Sequence, residues 1–246
     1  MIWQLAWHEW RRVRAGILFW LILAITQLLI AWLLFAQLEG FARIAPQLAA
    51  SGAALGPMDL IIAPTLGSLV LILIFSIPLL GQGGFATEHR QGRLTMWLSS
   101  PRGSMELVLG RVFGLFLSGL PLLVSSGLTV AAIGFGVEFD WLRFITALGM
   151  LVVFLLWLSA MVIGLSTLTD HPVAALSMAY GVLLFLWLLD SFGSADAAWH
   201  RIALLPHVQP WLGGLLRSQD MAYFVATGAA TLVLATYLFD RRRGIL

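Results

Sequence analysis

The chain has 246 residues, 60% of them hydrophobic and 11% charged, with a formal net charge of +2 and a mean hydropathy of +0.94. A soluble domain carries roughly 25% charged residues, so a water-soluble globule is excluded, and the apolar runs do not alternate as barrel strands do. All 14 basic residues are Arg and there is no Cys, which removes Lys-dependent phosphate loops, disulfides, thiol nucleophiles and cysteine metal sites together.

These features predict an all-α polytopic membrane protein, one transmembrane domain over residues 1–246 with six spans. Residues 1–14 come first. Ile2 to Val13 reads as a helix with Trp3, Ala6, Trp7, Trp10 and Val13 on one face and Gln4, His8, Glu9, Arg11 and Arg12 mostly opposite. A basic, Trp-rich amphipathic helix beside a span is expected to lie flat in the membrane interface. The alternative is an extension of the first span into the cytosol. No cleavable signal is read, because the first apolar run is too long and lacks a small-residue cleavage site.

The spans are expected at Gly16–Gln37, Asp59–Leu80, Met105–Phe135, Leu142–Leu168, Val173–Leu189 and Met221–Phe239. Between the first two, Glu39 to Pro57 reads as a short loop of small residues. The third is too long for one straight crossing and contains Pro121, so a kink or break is expected there. On that span Gly110, Gly114 and Ser118 form a stripe suited to helix packing, and Arg111 is expected to snorkel back to the near interface. Residues 191–220 hold an apolar stretch, Ile202 to Leu216, cut by Pro206 and Pro210. Each half is too short to cross, so the stretch is expected to dip into the outer leaflet, as a re-entrant segment, or to cap the bundle.

Arginine placement sets the expected orientation. Arg11, Arg12, Arg14, Arg90, Arg93, Arg102 and Arg241 to Arg243 fall on one side, against Arg43, Arg143, Arg201 and Arg217 on the other. The positive-inside rule then puts both termini and the loop at 82–104 in the cytoplasm. Reactive groups do not converge. His8-Glu9 lacks the second His of a zinc-protease helix, and Asp170-His171-Pro172 reads as a turn followed by a helix start. His200 and His207 are a weak metal pair, and the acidic residues Asp59, Asp190, Asp220 and Asp240 sit at span ends rather than at mid-membrane, where an ion-coupled carrier needs them. No catalytic residue, metal site or cofactor is expected, and no nucleic-acid partner.

The polar loop, residues 82–104, is one of the few segments able to meet a cytosolic partner. Glu88 to Trp97 reads as a short helix weakened by Gly92, with an apolar edge of Leu94, Trp97 and Leu98. Pro101 ends it; Ser104 is expected to N-cap the third span, with Glu106 in the first turn. Such a helix, joined to two spans, can press into a groove on a partner and move those spans. The same residues also suit a solvated loop on the headgroups.

Glu88-x-x-x-Gly92-x-Leu94-x-x-x-Leu98-Ser99-Ser100-Pro101, followed by Leu107-Val108-Leu109-Gly110-Arg111, closely resembles the inner loop of type-2 ABC transporter permeases. The likeness is to the subgroup of gliding-motility and copper-enzyme-maturation permeases. His207, Gly213-Gly214, Asp220, Tyr223-Phe224 and the final Arg run are similar to the end of that subgroup, whereas Gly119 to Ala198 is weakly matched. The resemblance implies a cytoplasmic coupling helix that docks on a separate ABC ATPase subunit. Glu88, Gly92, Leu94, Leu98, Ser100 and Pro101 carry over, and Arg90 and Arg93 add charge at the dock. Two departures alter that charge: Thr95 stands where an acidic residue is common, and Arg93 where a Thr is common. The resemblance further implies two permeases, as a homodimer or with a homologous permease, served by an ATPase dimer in a bacterial cytoplasmic membrane. The chain itself is then a non-catalytic subunit, in contact with membrane lipids and with room for a periplasmic or auxiliary membrane subunit. Export is the expected direction. Two rivals stand beside it. Ser118-Gly119-Leu120-Pro121-Leu122-Leu123 also suits a haem-exporter-type permease of cytochrome c maturation, and a non-transporting scaffold that passes ATPase strokes to a periplasmic partner fits the same loop.

Overall fold

The computed structural model describes residues 2–51, 56–83, 103–136, 139–192, 198–242 and 244, and every regular element among them is helical. We number the α-helices α1 (Ile2–Ala15), α2 (Ile17–Ser51), α3 (Ala63–Leu80), α4 (Ser104–Ala131), α5 (Trp141–Ser166), α6 (Pro172–Leu188), α7 (Leu205–Leu212) and α8 (Ser218–Arg242). A π-helical turn, Met58–Ile62, leads into α3, and a 3-10 turn, Ala132–Phe135, closes α4. Six helical stretches are long and apolar enough to cross a bilayer: Ile17–Gln47, Met58–Leu80, Ser104–Phe135, Trp141–Ser166, Pro172–Ser191 and Ser218–Arg241. The chain is a multi-pass membrane protein.

The apolar runs explain the layering. Over an 18-residue apolar section of the stretches containing α3, α4 and α5, 56%, 61% and 67% of the residues are buried, against 28%, 17% and 22% in those of α2, α6 and α8. Three spans therefore form a core and three surround it, with Leu, Ile and Phe turned outward where lipid would cover them. Buried hydroxyls rarely cross between helices. Thr65, Ser118 and Ser159 donate to the carbonyls of Ile61, Gly114 and Leu155 on their own helices. A polar cluster does bridge α2 and α4: Gln27 on α2 donates to Ser125 at 2.6 Å and Ser126 at 3.1 Å on α4, and Thr129 donates to Gln27 Oε1 at 3.1 Å.

The helices end at different levels. Gly81, just past α3, lies against Leu115, and Gly119 lies against Ile77, so α3 stops level with the middle of α4. Likewise Gly164, near the end of α5, lies against Thr231 in the middle of α8. From Ser104 to Leu115, and again from Thr231 to Arg242, is about 16 Å of helix. The starts of α4 and the ends of α8 therefore project beyond α3 and α5 at the end of the bundle that holds both termini. There the Ser104 hydroxyl donates to Asp240 Oδ1 and ties the two projecting helices.

Several expectations need correction. Residues 39 to 51 are helix rather than loop: α2 runs on to Ser51 with Pro46 inside it. An Arg43–Glu39 pair, 2.6 Å apart at helical spacing, and a run of Ala favour that extension. The third span does not break at Pro121. Helix α4 passes through it, and the excess length is taken up by projection from the bundle. Arg111 does not reach the surface; it is 2% exposed within α4. Nor does Ser104 cap α4, because Gly103 holds that position and the hydroxyl serves Asp240 instead.

Candidate functional site

The projecting end is a three-helix stalk. Helix α1 packs along the first half of α4, with Leu5 against Gly110 and Glu9 against Gly114. Both contacts advance by four residues, so the two helices run parallel. A methyl group on Gly110 would stand 2.5 Å from Leu5 Cδ2, and one on Gly114 2.5 Å from Glu9 Cβ. Only glycine admits so close an approach of the two backbones. Ser118, the third member of the stripe, is fully buried and bonded back to the Gly114 carbonyl.

The face of α1 turned to α4 matches only part of the one its periodicity suggests, keeping Ala6 and Val13 but not Trp3 or Trp7. Ala6 is completely buried and Glu9 is 9% exposed, whereas Trp3 is 62% and Trp7 40% exposed. Leu5 and Glu9 lie on the bare glycine backbone while Trp3 and Trp7 are left outside. Glu9 is not stranded, because Arg12 one turn on donates to it. Along the exposed edge, the guanidinium of Arg11 lies 5.3 Å from the Trp7 ring centroid and that of Arg14 4.4 Å from Trp10.

The opposite end is closed by α7. Pro206 stands in its first turn, and Val208, Trp211 and Leu212 are buried against α3, α5 and α8. At eight residues, α7 is about 12 Å long and caps the bundle without crossing it. His207 Nδ1 lies 2.8 Å from Asp220 Oδ1, and its Nε2 3.1 Å from the Arg201 carbonyl. The two contacts hold the ring between the start of α8 and the turn before α7. Tyr223 stacks on the imidazole at 4.2 Å and donates to the Ile202 carbonyl. Beneath them Trp211, Phe224, Trp157 and Phe154 pack ring to ring. Gly214, at φ 77°, turns the chain after α7 against the backbone of Arg143. At the same end Arg143 sits between Asp140 at 3.3 Å and Asp59 at 3.9 Å.

On the outside, α2, α3 and α6 border an apolar groove of about 520 Å³ lined by Leu21, Ile25, Leu29, Leu71, Phe75 and Tyr180. No group of three or more His, Cys, Asp or Glu able to hold a metal occurs among the described residues. The proposed dock residues Glu88, Arg90, Gly92, Arg93, Leu94, Leu98, Ser100 and Pro101 lie outside the described residues; Gly83 and Gly103 flank that segment. The structure brings together Gly110 and Gly114 with α1, and His207 with Asp220 and Tyr223. Sequence reasoning did not find the roles of Glu9 and Asp240. The repeat of four shared by Leu5–Glu9 and Gly110–Gly114 carried a signal for Glu9. Asp240 had none, being 136 positions from Ser104.

No protein-family model and no curated protein matches the chain.

Proposed function

We propose that the chain is the membrane-spanning permease subunit of an ABC transporter, an exporter of the bacterial cytoplasmic membrane driven by a separate ATPase subunit. The observation that carries this reading is the stalk. The segment resembling a coupling loop is strung between Gly83, at the level where α3 ends, and the tip of α4, which projects about 16 Å further. A partner pressing on that segment has a lever. Because α1 is locked to α4 through Gly110 and Gly114, and α8 through Asp240, a displacement of α4 is shared by three helices. Arg11, Arg12, Arg14, Arg241 and Arg242 all stand at this end, which orients it toward the cytoplasm.

The interior of the chain supports a path between two copies rather than through one. Among the described residues the core is mainly apolar side chains, with most buried hydroxyls bonded to their own helices, and the groove on α2, α3 and α6 faces outward. The same filled interior suits mechanotransmission to a periplasmic partner as the second reading. A solvent-accessible path at the permease dimer interface favours transport, and a closed apolar seam favours the second reading. The dock is tested by Glu88→Ala and Leu98→Asp. Both variants insert normally and stimulate the ATPase less than the parent chain; unchanged partner binding and unchanged stimulation in both would sink the assignment.

A further inference from the structure

The outward edge of α1 has a role that the lever does not use. We propose that Arg11 and Arg14, with the tryptophans beside them, form a binding surface for the headgroups of anionic phospholipids at the terminal end of the bundle. This inference needs only a membrane and holds whether or not an ATPase docks on the loop.

Three observations carry it. The first is charge. Of the three arginines on α1, Arg12 is paired with Glu9, while Arg11 and Arg14 are exposed and lie on the faces of Trp7 and Trp10 rather than on a carboxylate. An indole face holds a guanidinium in place without neutralising it, so the N–H groups stay available to a phosphate.

The second is depth. Leu21 and Ile25 of α2 share their groove with Leu79 and Phe75 of α3, so the start of α2 is level with the end of α3. Gly16 alone separates α1 from α2, and Arg11 and Arg14 lie within about one and a half turns of it. That is the boundary where the apolar slab gives way to water, and where headgroup phosphates stand.

The third is what adjoins the charges. Ile17 is 85% and Trp20 55% exposed, and Trp20 Nε1 donates to the Arg14 carbonyl at 3.1 Å, fastening one indole beside the guanidinium. Two cations above exposed indole and aliphatic surface match a phosphodiester with acyl chains below it. A soluble anion would leave that apolar surface in water, and an acidic protein surface would not reach below the boundary. Since α1 is clamped on α4, the lipid would also set the resting position of the stalk.

The test uses the full chain in detergent, with phosphatidylglycerol or phosphatidylcholine added and the bound lipid counted by native mass spectrometry. Arg11→Gln and Arg14→Gln are both at exposed positions, so the fold is retained, and monodisperse elution on gel filtration confirms it. The parent chain holds phosphatidylglycerol in preference to phosphatidylcholine. Each single variant weakens the tightest phosphatidylglycerol site by about fivefold and the double variant by about 25-fold, while Arg43→Gln, on the opposite end, leaves it unchanged. A double variant that binds phosphatidylglycerol as tightly as the parent would overturn the proposal. So would displacement of the lipid by inorganic phosphate alone, which would assign the two arginines to a soluble anion.

Discussion

At the terminal end, α1 lays Leu5 and Glu9 directly on the backbone of α4, with Gly110 and Gly114 leaving no room for a side chain of their own. At the far end, α7 is held by a histidine between two acceptors and by a column of aromatic rings. The two closures respond differently to force. A backbone seam fixes register, so one helix cannot slide without carrying the other. A cap of rings and hydrogen bonds fixes position through side chains. On the proposed function, the cationic, projecting end is the one that moves and the aromatic end the one that stays.

Substitutions that attack the two ends separately sharpen this contrast. The largest effect is expected at the cap. Trp211→Ala removes a fully buried indole from beneath His207 and Tyr223 and should cost about 3–5 kcal/mol, read as a lower midpoint of thermal unfolding in detergent. It should leave a disulfide engineered between α1 and α4 forming at its normal rate. Next comes the seam. Gly114→Leu forces a side chain into Glu9 and should cost about 1–3 kcal/mol by overpacking; here the engineered α1–α4 disulfide forms slowly while the cap stays intact. Gln27→Leu removes the polar bridge from α2 to α4, and a smaller loss of about 0.6–1.7 kcal/mol is expected. Arg43→Ala breaks an exposed ion pair on α2 at the end away from the termini and should leave the unfolding midpoint unmoved. A seam variant that behaved like the cap variant in both assays would erase the contrast.

The spans were legible because each needs about 20 apolar residues and little else, and all six stand within a few residues of their expected starts. What failed to show were features decided by a distant partner. Glu39 to Ser51 looks like loop because its residues are small and partly charged; the Glu39–Arg43 pair and the Ala run keep it helical. Trp3, Ala6, Trp7, Trp10 and Val13 gave α1 an obvious apolar face, yet Trp3 and Trp7 of that face stay exposed while Glu9 from the opposite one is buried beside Ala6. Both faces of that helix can be buried, one by protein and one by lipid, and periodicity alone does not say which. Ser104 looked like a cap until Asp240 was placed beside it. His207, Asp220 and Tyr223 stood out as a C-terminal pattern without any sign that they touch. The dock residues, Glu88 to Pro101, rest on resemblance alone.

The most direct measurement is a gentle-detergent purification of the tagged chain from its native membranes, with every co-purifying subunit identified. An ATPase subunit in equal stoichiometry with the permease, retained by the parent chain and lost with Leu98→Asp, is the expected result. Recovery of the chain in several detergents with no nucleotide-binding partner would contradict the permease reading and leave the stalk without its motor.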